Sequence, residues 1–112
     1  MIVTPAATIA GFRVVRTLGL VRGNTIRARH LGKDILAFLK AAVGGEIEEY
    51  TKMMAESREQ SIDRMVAEAK GLGANAITDV RFATSYLMAS AAEILVTGNA
   101  VIVEALEKES KQ

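Results

Sequence analysis

Apolar positions recur along this chain with two different periods. From Gly11 to Val21 the run has strand character, carried by Phe12, Val14, Val15, Thr17, Leu18, Leu20 and Val21 and interrupted by Arg13, Arg16 and Arg22. Gly19 suggests a bulge in it, Gly23-Asn24 a turn, and Thr25 to Arg29 a second short strand. Pro5 lies where it can open or edge a strand without breaking one. At Leu31 the period becomes helical, with Ile35, Leu36, Leu39 and Val43 on one stripe up to the Gly44-Gly45 break. A longer amphipathic segment runs from Glu46 to Lys70. Glu46, Glu48 and Glu49 fall in its first turn, where acidic side chains complement the helix dipole. Its predicted stripe is Tyr50, Met54, Ile62, Met65, Val66, Ala69 and Leu72, and a stop is expected at Gly71 or Gly73.

Two β-rich runs follow, Ala74 to Tyr86 and Ala92 to Val103. They are expected to pair as a hairpin through a connection near Leu87 to Ala91, longer than a two-residue turn. The second run carries Ala92, Ile94, Val96, Gly98, Ala100 and Ile102 on one face, and Glu93, Leu95, Thr97, Asn99, Val101 and Val103 on the other. Both faces are partly apolar, whereas a sheet wetted on one side shows clean alternation. Too few elements remain in the chain to cover the second face, so the pattern predicts that another copy covers it. The reading is a two-layer α+β subunit of β-α-β-β order with an antiparallel sheet. It forms a single domain over residues 1–104, followed by a charged tail over 105–112, and pattern alone does not fix the strand order.

Composition narrows the function classes. The chain has 112 residues, enough for one domain with its own core. It has 0 Cys and 1 His, so it offers no thiolate to a soft metal and no redox couple. The net charge of +1 and the 4% of aromatic residues give no electrostatic or stacking footprint for nucleic acid. No apolar run is long enough to enter a membrane, and a cytoplasmic location is expected. The hydrophobic fraction of 50% and mean hydropathy of +0.21 point to apolar surface buried between copies.

Several blocks in order, "RTLGLVRG", "LAFLKAAVGGEIEEYTKMMAESREQSIDRM", "EAKGLGANAITDVRF" and "EILVTGNAV", resemble the YbjQ-like family of small bacterial and archaeal proteins. The resemblance covers about Thr8 to Val103. It lies in the glycine pair, Tyr50, Ser57-Arg58, the Leu72 to Ala76 block and Gly98. It implies a dodecin-like subunit assembled into a closed ring, a pentamer, and the label carried by the family implies a metal or metalloid binder. The chain departs from that label in its lack of Cys, its single His, and Ala83 after Phe82, where relatives commonly carry an acidic residue.

The candidate site residues are few. His30, Glu46 and Glu49 are the candidate metal ligands. A lone imidazole lacks the clustering of metal sites, however, and an acidic first turn is ordinary helix chemistry. Arg58 lies four residues from both Met54 and Ile62, on or beside the apolar stripe, where a charge needs a partner such as Asp34, Asp79 or Glu93 or must snorkel outward. It is expected to fix a helix–sheet or subunit contact. Tyr50, Gly73, Asn75, Leu95 and Val101 are expected to be structural or interface positions. Met53, Met54, Met65 and Met88 read as packing residues. Neither a phosphate loop nor a nucleophile–base pair is recognisable. A non-catalytic ring-forming protein that binds or scaffolds is therefore expected. Its partner is a copy of itself, with no nucleic acid or membrane partner; it has no cofactor, with a metal ion as the alternative ligand.

Overall fold

A computed structural model describes residues 1–28, 47–88 and 91–107. The elements are β1 (Ile2–Val3), β2 (Phe12–Ala28), α1 (Ile47–Gly71), β3 (Ala76–Met88) and β4 (Ala91–Ala105). The predicted helix from Leu31 to Val43 lies outside the described residues. The sheet order is β1-β3-β4-β2. β4 pairs antiparallel with both β2 and β3, so it is inserted between two strands that run the same way. β1 pairs parallel with β3, through Ile2 opposite Ala76 and Val3 opposite Ile77. The sheet is therefore mixed, which corrects the antiparallel expectation. Two N-terminal residues add an edge that no period-2 pattern could announce.

The first strand is longer than expected. Gly19 does mark a bulge, with a register shift between Thr17 and Gly19 and φ at +135°. Gly23-Asn24, read as a turn, is ordinary strand, with Gly23 opposite Val96 and Asn24 opposite Leu95. Gly23 is required for another reason. A Cβ there would overlap the Ser61 carbonyl oxygen and come within 2.6 Å of the Met65 backbone nitrogen. The glycine lets the backbone of α1 rest on the backbone of β2. Likewise β3 and β4 reach Met88 and Ala91, which leaves less room for a connection than the sequence suggested.

α1 forms because Ile47 to Lys70 has no Gly or Pro and is rich in Ala, Glu, Met, Lys and Arg. Its buried line is Met54, Ser57, Ser61, Met65 and Ala69, a spacing of three or four residues throughout. Two serines thus occupy the centre of a face predicted to be apolar, Ile62 and Val66 flank it half-buried, and Leu72 is exposed. The helix stops in a Schellman motif. The Ala74 N–H donates to the Ala69 carbonyl at 3.0 Å, and the Gly73 N–H donates to that of Lys70 at 3.0 Å. Gly73 has φ of +90°, a conformation costly for any residue with a Cβ.

The main core lies between α1 and the sheet: Val21, Met65, Ala69, Ile77, Val80, Val96 and Ala100. A smaller cluster of Met54, Ala92 and Ile94 continues it toward the helix start. A third cluster lies on the opposite face of the sheet, where Ala76, Val101 and Val103 are covered by Ile2 and Ile9. The chain's own N-terminal segment thus covers one end of the second face, correcting the expectation that only another copy could do so. Long strands and one helix make an elongated body of 65 × 29 × 16 Å. The radius of gyration is 18.9 Å, against about 13 Å for a compact domain of this length.

Gly23→Ala tests the backbone contact. Overpacking against two backbone atoms should cost about 3 kcal/mol in urea unfolding. A loss below about 0.5 kcal/mol would show that α1 is not pressed onto β2.

Candidate functional site

Three local features stand out: a buried hydroxyl seam, a strained bulge, and strand surface that no described residue covers. The seam follows from Gly23, because only small side chains fit where the helix touches the sheet. Thr25, Ser57 and Ser61 fill that space and are almost fully buried. The Ser61 hydroxyl lies 3.0 Å from the Thr25 hydroxyl, 2.9 Å from the Ser57 carbonyl oxygen and 3.2 Å from that of Ile94. The Thr25 hydroxyl also donates to the Ser57 carbonyl, at 3.1 Å, and the Ser57 hydroxyl donates to that of Met53 at 2.9 Å. Every hydroxyl finds an acceptor, and none lies beside a base, so the seam is structural. At its rim the Arg64 guanidinium donates to the Asn24 carbonyl at 2.5 Å.

The bulge is at Asp79, whose φ of 56° places a residue with a side chain in the left-handed region. The β3–β4 register shifts there, between Thr78 and Arg81. The Asp79 carboxylate accepts from the Thr78 hydroxyl at 3.0 Å and from the Asn99 amide at 3.1 Å, and its own N–H donates to the Ala6 carbonyl at 3.0 Å. Arg81 donates to the Pro5 carbonyl at 2.8 Å. The bulge therefore ties the N-terminal segment to β3, and Asp79 is held by these partners rather than by Arg58. At Gly98, on the neighbouring strand, a Cβ would meet the Ile77 side chain at 2.5 Å.

Uncovered strand surface makes up the third feature. Phe12, Val14, Val15, Leu20 and Ile26 of β2 are exposed, with Leu20 at 64% and Ile26 at 58%. In β3, all side chains from Arg81 to Tyr86 are exposed, although they alternate between the two faces. α1 packs over β2 and β4 and stops short of this part of β3. Phe82, opposite the buried Val96, is thereby left 48% exposed, and Tyr86, opposite the buried Ala92, 68% exposed.

The predicted site residues fall in different places. His30 and Glu46 lie outside the described residues, and only the backbone is described at Glu49 and Tyr50, in the first turns of α1. Arg58 is exposed, because Ser57 and Ser61 hold the buried positions on either side of it. Asn75 extends the β3–β4 ladder with its side chain. Its amide donates to the Val103 carbonyl at 2.9 Å, and its carbonyl oxygen accepts from the Val103 N–H at 2.8 Å. Val101 is buried beneath Ile2 and Ile9, while Leu95 is half-buried on the face away from the helix. Sequence reasoning gave no packing role to Thr25, Ser57 or Ser61, and it named Asp79 only as a possible partner of Arg58.

The YbjQ family model, described as "Putative heavy-metal-binding", matches residues 1–104. The chain belongs to the YbjQ-like family. A UPF0145 protein of Dehalococcoides mccartyi strain 195 is 59% identical over 104 residues, covering 93% of this chain and 100% of the relative. UPF0145 proteins of Methanosarcina acetivorans and Pyrococcus horikoshii are 54% and 52% identical, covering 90% and 96% of this chain and 95% and 92% of theirs. A crystal structure of a Pediococcus pentosaceus protein of unknown function, from the DUF74 family, superposes with a TM-score of 0.68. That alignment covers 93% of this chain and 98% of the other; at 10% identity the likeness shows the fold alone.

Family membership raises the question of whether the residues suit a heavy metal. With 0 Cys, the YbjQ-like chain has no thiolate to give. Among the described residues, no three His, Asp or Glu side chains converge on a point. The described residues therefore do not form a soft-metal site. No helix among them is long and apolar enough to cross a membrane.

Two substitutions separate buried from exposed roles on α1. Ser61→Ala should lower stability by about 1 kcal/mol, since it removes the buried hydroxyl that bonds Thr25 and the Ser57 and Ile94 carbonyls. Arg58→Met should change the unfolding free energy of the isolated chain by less than about 0.5 kcal/mol. A larger loss for Arg58→Met that depends on protein concentration would place Arg58 in a contact between copies.

Proposed function

We propose that this protein is a non-catalytic subunit of a closed homo-oligomer, a ring whose faces or pore bind or scaffold other molecules. One observation carries the reading: among the described residues, Phe12, Val14, Val15, Leu20 and Ile26 of β2 and Phe82 and Tyr86 of β3 are exposed. Monomers rarely leave so much apolar strand surface to water. Five subunits is the number implied by the family resemblance. Absence of catalysis is supported by the hydroxyls, which are satisfied by carbonyls, and by the acidic groups, which do not converge among the described residues.

The family description favours a second reading, in which the protein binds a metal or metalloid. His30, Glu46 and Glu49 are its candidate ligands. Without thiolates, such a site would take borderline or hard ions and would draw its ligands from more than one copy.

Native mass spectrometry on protein free of a histidine tag tests both readings. The expected result is a single closed species at an integer multiple of the chain mass, five by the family resemblance, with no added mass. A monomer would overturn the oligomer reading. Stoichiometric uptake of zinc by chelator-treated protein, abolished in His30→Ala, would favour the metal reading instead.

A further inference from the structure

The segment that precedes β2 crosses the sheet. β1 pairs with β3 at one edge, and β2 forms the other edge. Residues 4–11 therefore pass over β3 and β4, on the face away from α1, where Ile2 and Ile9 pack against Ala76, Val101 and Val103. The far end of this crossing is anchored. The Phe12 N–H donates to the Ile9 carbonyl at 3.1 Å, the Leu106 N–H donates to that of Gly11 at 2.9 Å, and Gly11 itself has φ of +80°.

The near end is held lightly, and at one place. β1 has 2 residues, and its Ile2 N–H reaches the Asn75 carbonyl only at 3.4 Å. Ile2 and Ile9 are half-buried, while Pro5, Ala6, Ala7 and Thr8 are exposed. Apart from the Thr4 N–H on the Ile77 carbonyl, the remaining ties come from three successive residues of β3. The Asp79 N–H donates to the Ala6 carbonyl at 3.0 Å, the Val80 N–H to that of Thr4 at 3.1 Å, and the Arg81 guanidinium to that of Pro5 at 2.8 Å. Those three residues make the bulge, where β3 advances from Thr78 to Arg81 while β4 moves only from Asn99 to Thr97. Asp79 stands there at φ of 56°, a conformation that stores strain. Few buried apolar contacts and exposed backbone bonds mark the parts of a fold that open first.

We propose that residues 1–10 and the Asp79 bulge form one latch, which swings on Gly11 and opens as a unit while the core between α1 and the sheet stays folded. Opening uncovers Ala76, Val101 and Val103 together with the β3 edge over residues 76–80, and it relieves the strain at Asp79. Every group in the latch belongs to one chain, so it does not depend on the homo-oligomer reading. A fraying terminus behaves differently. It loses protection stepwise from its free end, whereas the latch loses the ties at Ile2, Thr4, Asp79 and Val80 together, although they lie far apart in sequence.

The chain has 0 Cys, so a single cysteine reports on one position without background. Val103→Cys places a thiol beneath Ile2 and Ile9, and Val96→Cys places one in the core under α1. Under native conditions a disulfide thiol reagent should label the Val103→Cys variant about tenfold faster, or more, than the Val96→Cys variant. A smaller difference would overturn the latch. In hydrogen exchange on the wild-type chain, protection of the Ile2, Thr4, Asp79 and Val80 amides should agree within about threefold. Protection that rises stepwise from Ile2 to Val80 would replace the latch by simple fraying. A β-branched side chain is ill suited to the left-handed region. Asp79→Val should therefore speed labelling of the Val103→Cys variant by about tenfold and leave the Val96→Cys variant unchanged. No change at the first position, or an equal rise at both, would sever the bulge from the latch and overturn the proposal. The exchange measurement needs no substitution, so it decides the question even where a substituted chain does not fold.

Discussion

The contact between the backbone of α1 at Ser61 and the backbone of β2 at Gly23 sets the rest of the molecule. Helices ordinarily stand off a sheet by the depth of two side-chain layers. Here a missing Cβ removes that spacing at one point, and the helix face that meets the sheet must then be small. Serines replace aliphatic residues there, and their hydroxyls need acceptors because water is excluded. Thr25 and the carbonyls of Ser57 and Ile94 meet that need. The same closeness has a lateral consequence. A helix pressed onto β2 and β4 covers a narrower strip of sheet than one held at a distance, so Phe82 and Tyr86 on β3 lie beyond its reach.

On the opposite face the N-terminal segment packs against the third cluster, Ile2 from within the sheet as part of β1 and Ile9 from the segment that follows. Ile2 and Ile9 cover Val101 and Val103, and hydrogen bonds from Asp79, Val80 and Arg81 hold the intervening chain. Asp79 adopts its left-handed conformation at the point where this cover ends. Three groups hold it there: Thr78, Asn99 and the Ala6 carbonyl. The strain is affordable in a residue type that tolerates that region. A bulge re-aims a strand, and after this one β3 leaves both its edge partner and its helix. The closed and open halves of β3 are therefore divided by one strained residue rather than by a gradual fraying.

Much of this was legible in the sequence. The helix stop at Gly71 to Gly73, the Gly19 bulge, the hairpin runs and the α+β class all followed from period and glycine position. What was not legible shares a physical origin. Gly23 looked like a turn because a glycine demanded by a close approach has the same letter as one demanded by a positive φ. Arg58 was placed on or beside the stripe because the stripe was drawn through the large apolar residues Met54 and Ile62; the true face runs through Ser57 and Ser61, which a hydrophobic pattern scores as polar. β1 was invisible because a strand of two residues has no period. The cover over Val101 and Val103 was missed for the same reason.

The candidate site was less legible than the fold, and the reason lies in where the chemistry resides. A catalytic or metal centre within one chain announces itself by convergent titratable groups, and among the described residues no three His, Asp or Glu side chains come together. The groups that do converge are hydroxyls and amides already spent on backbone partners. What remains for function is surface, and among the described residues β2 and β3 leave apolar and aromatic side chains exposed. On the proposed reading, a ligand would be read by a geometry that no single chain possesses. A period or a motif, which are properties of one chain, carries no trace of it.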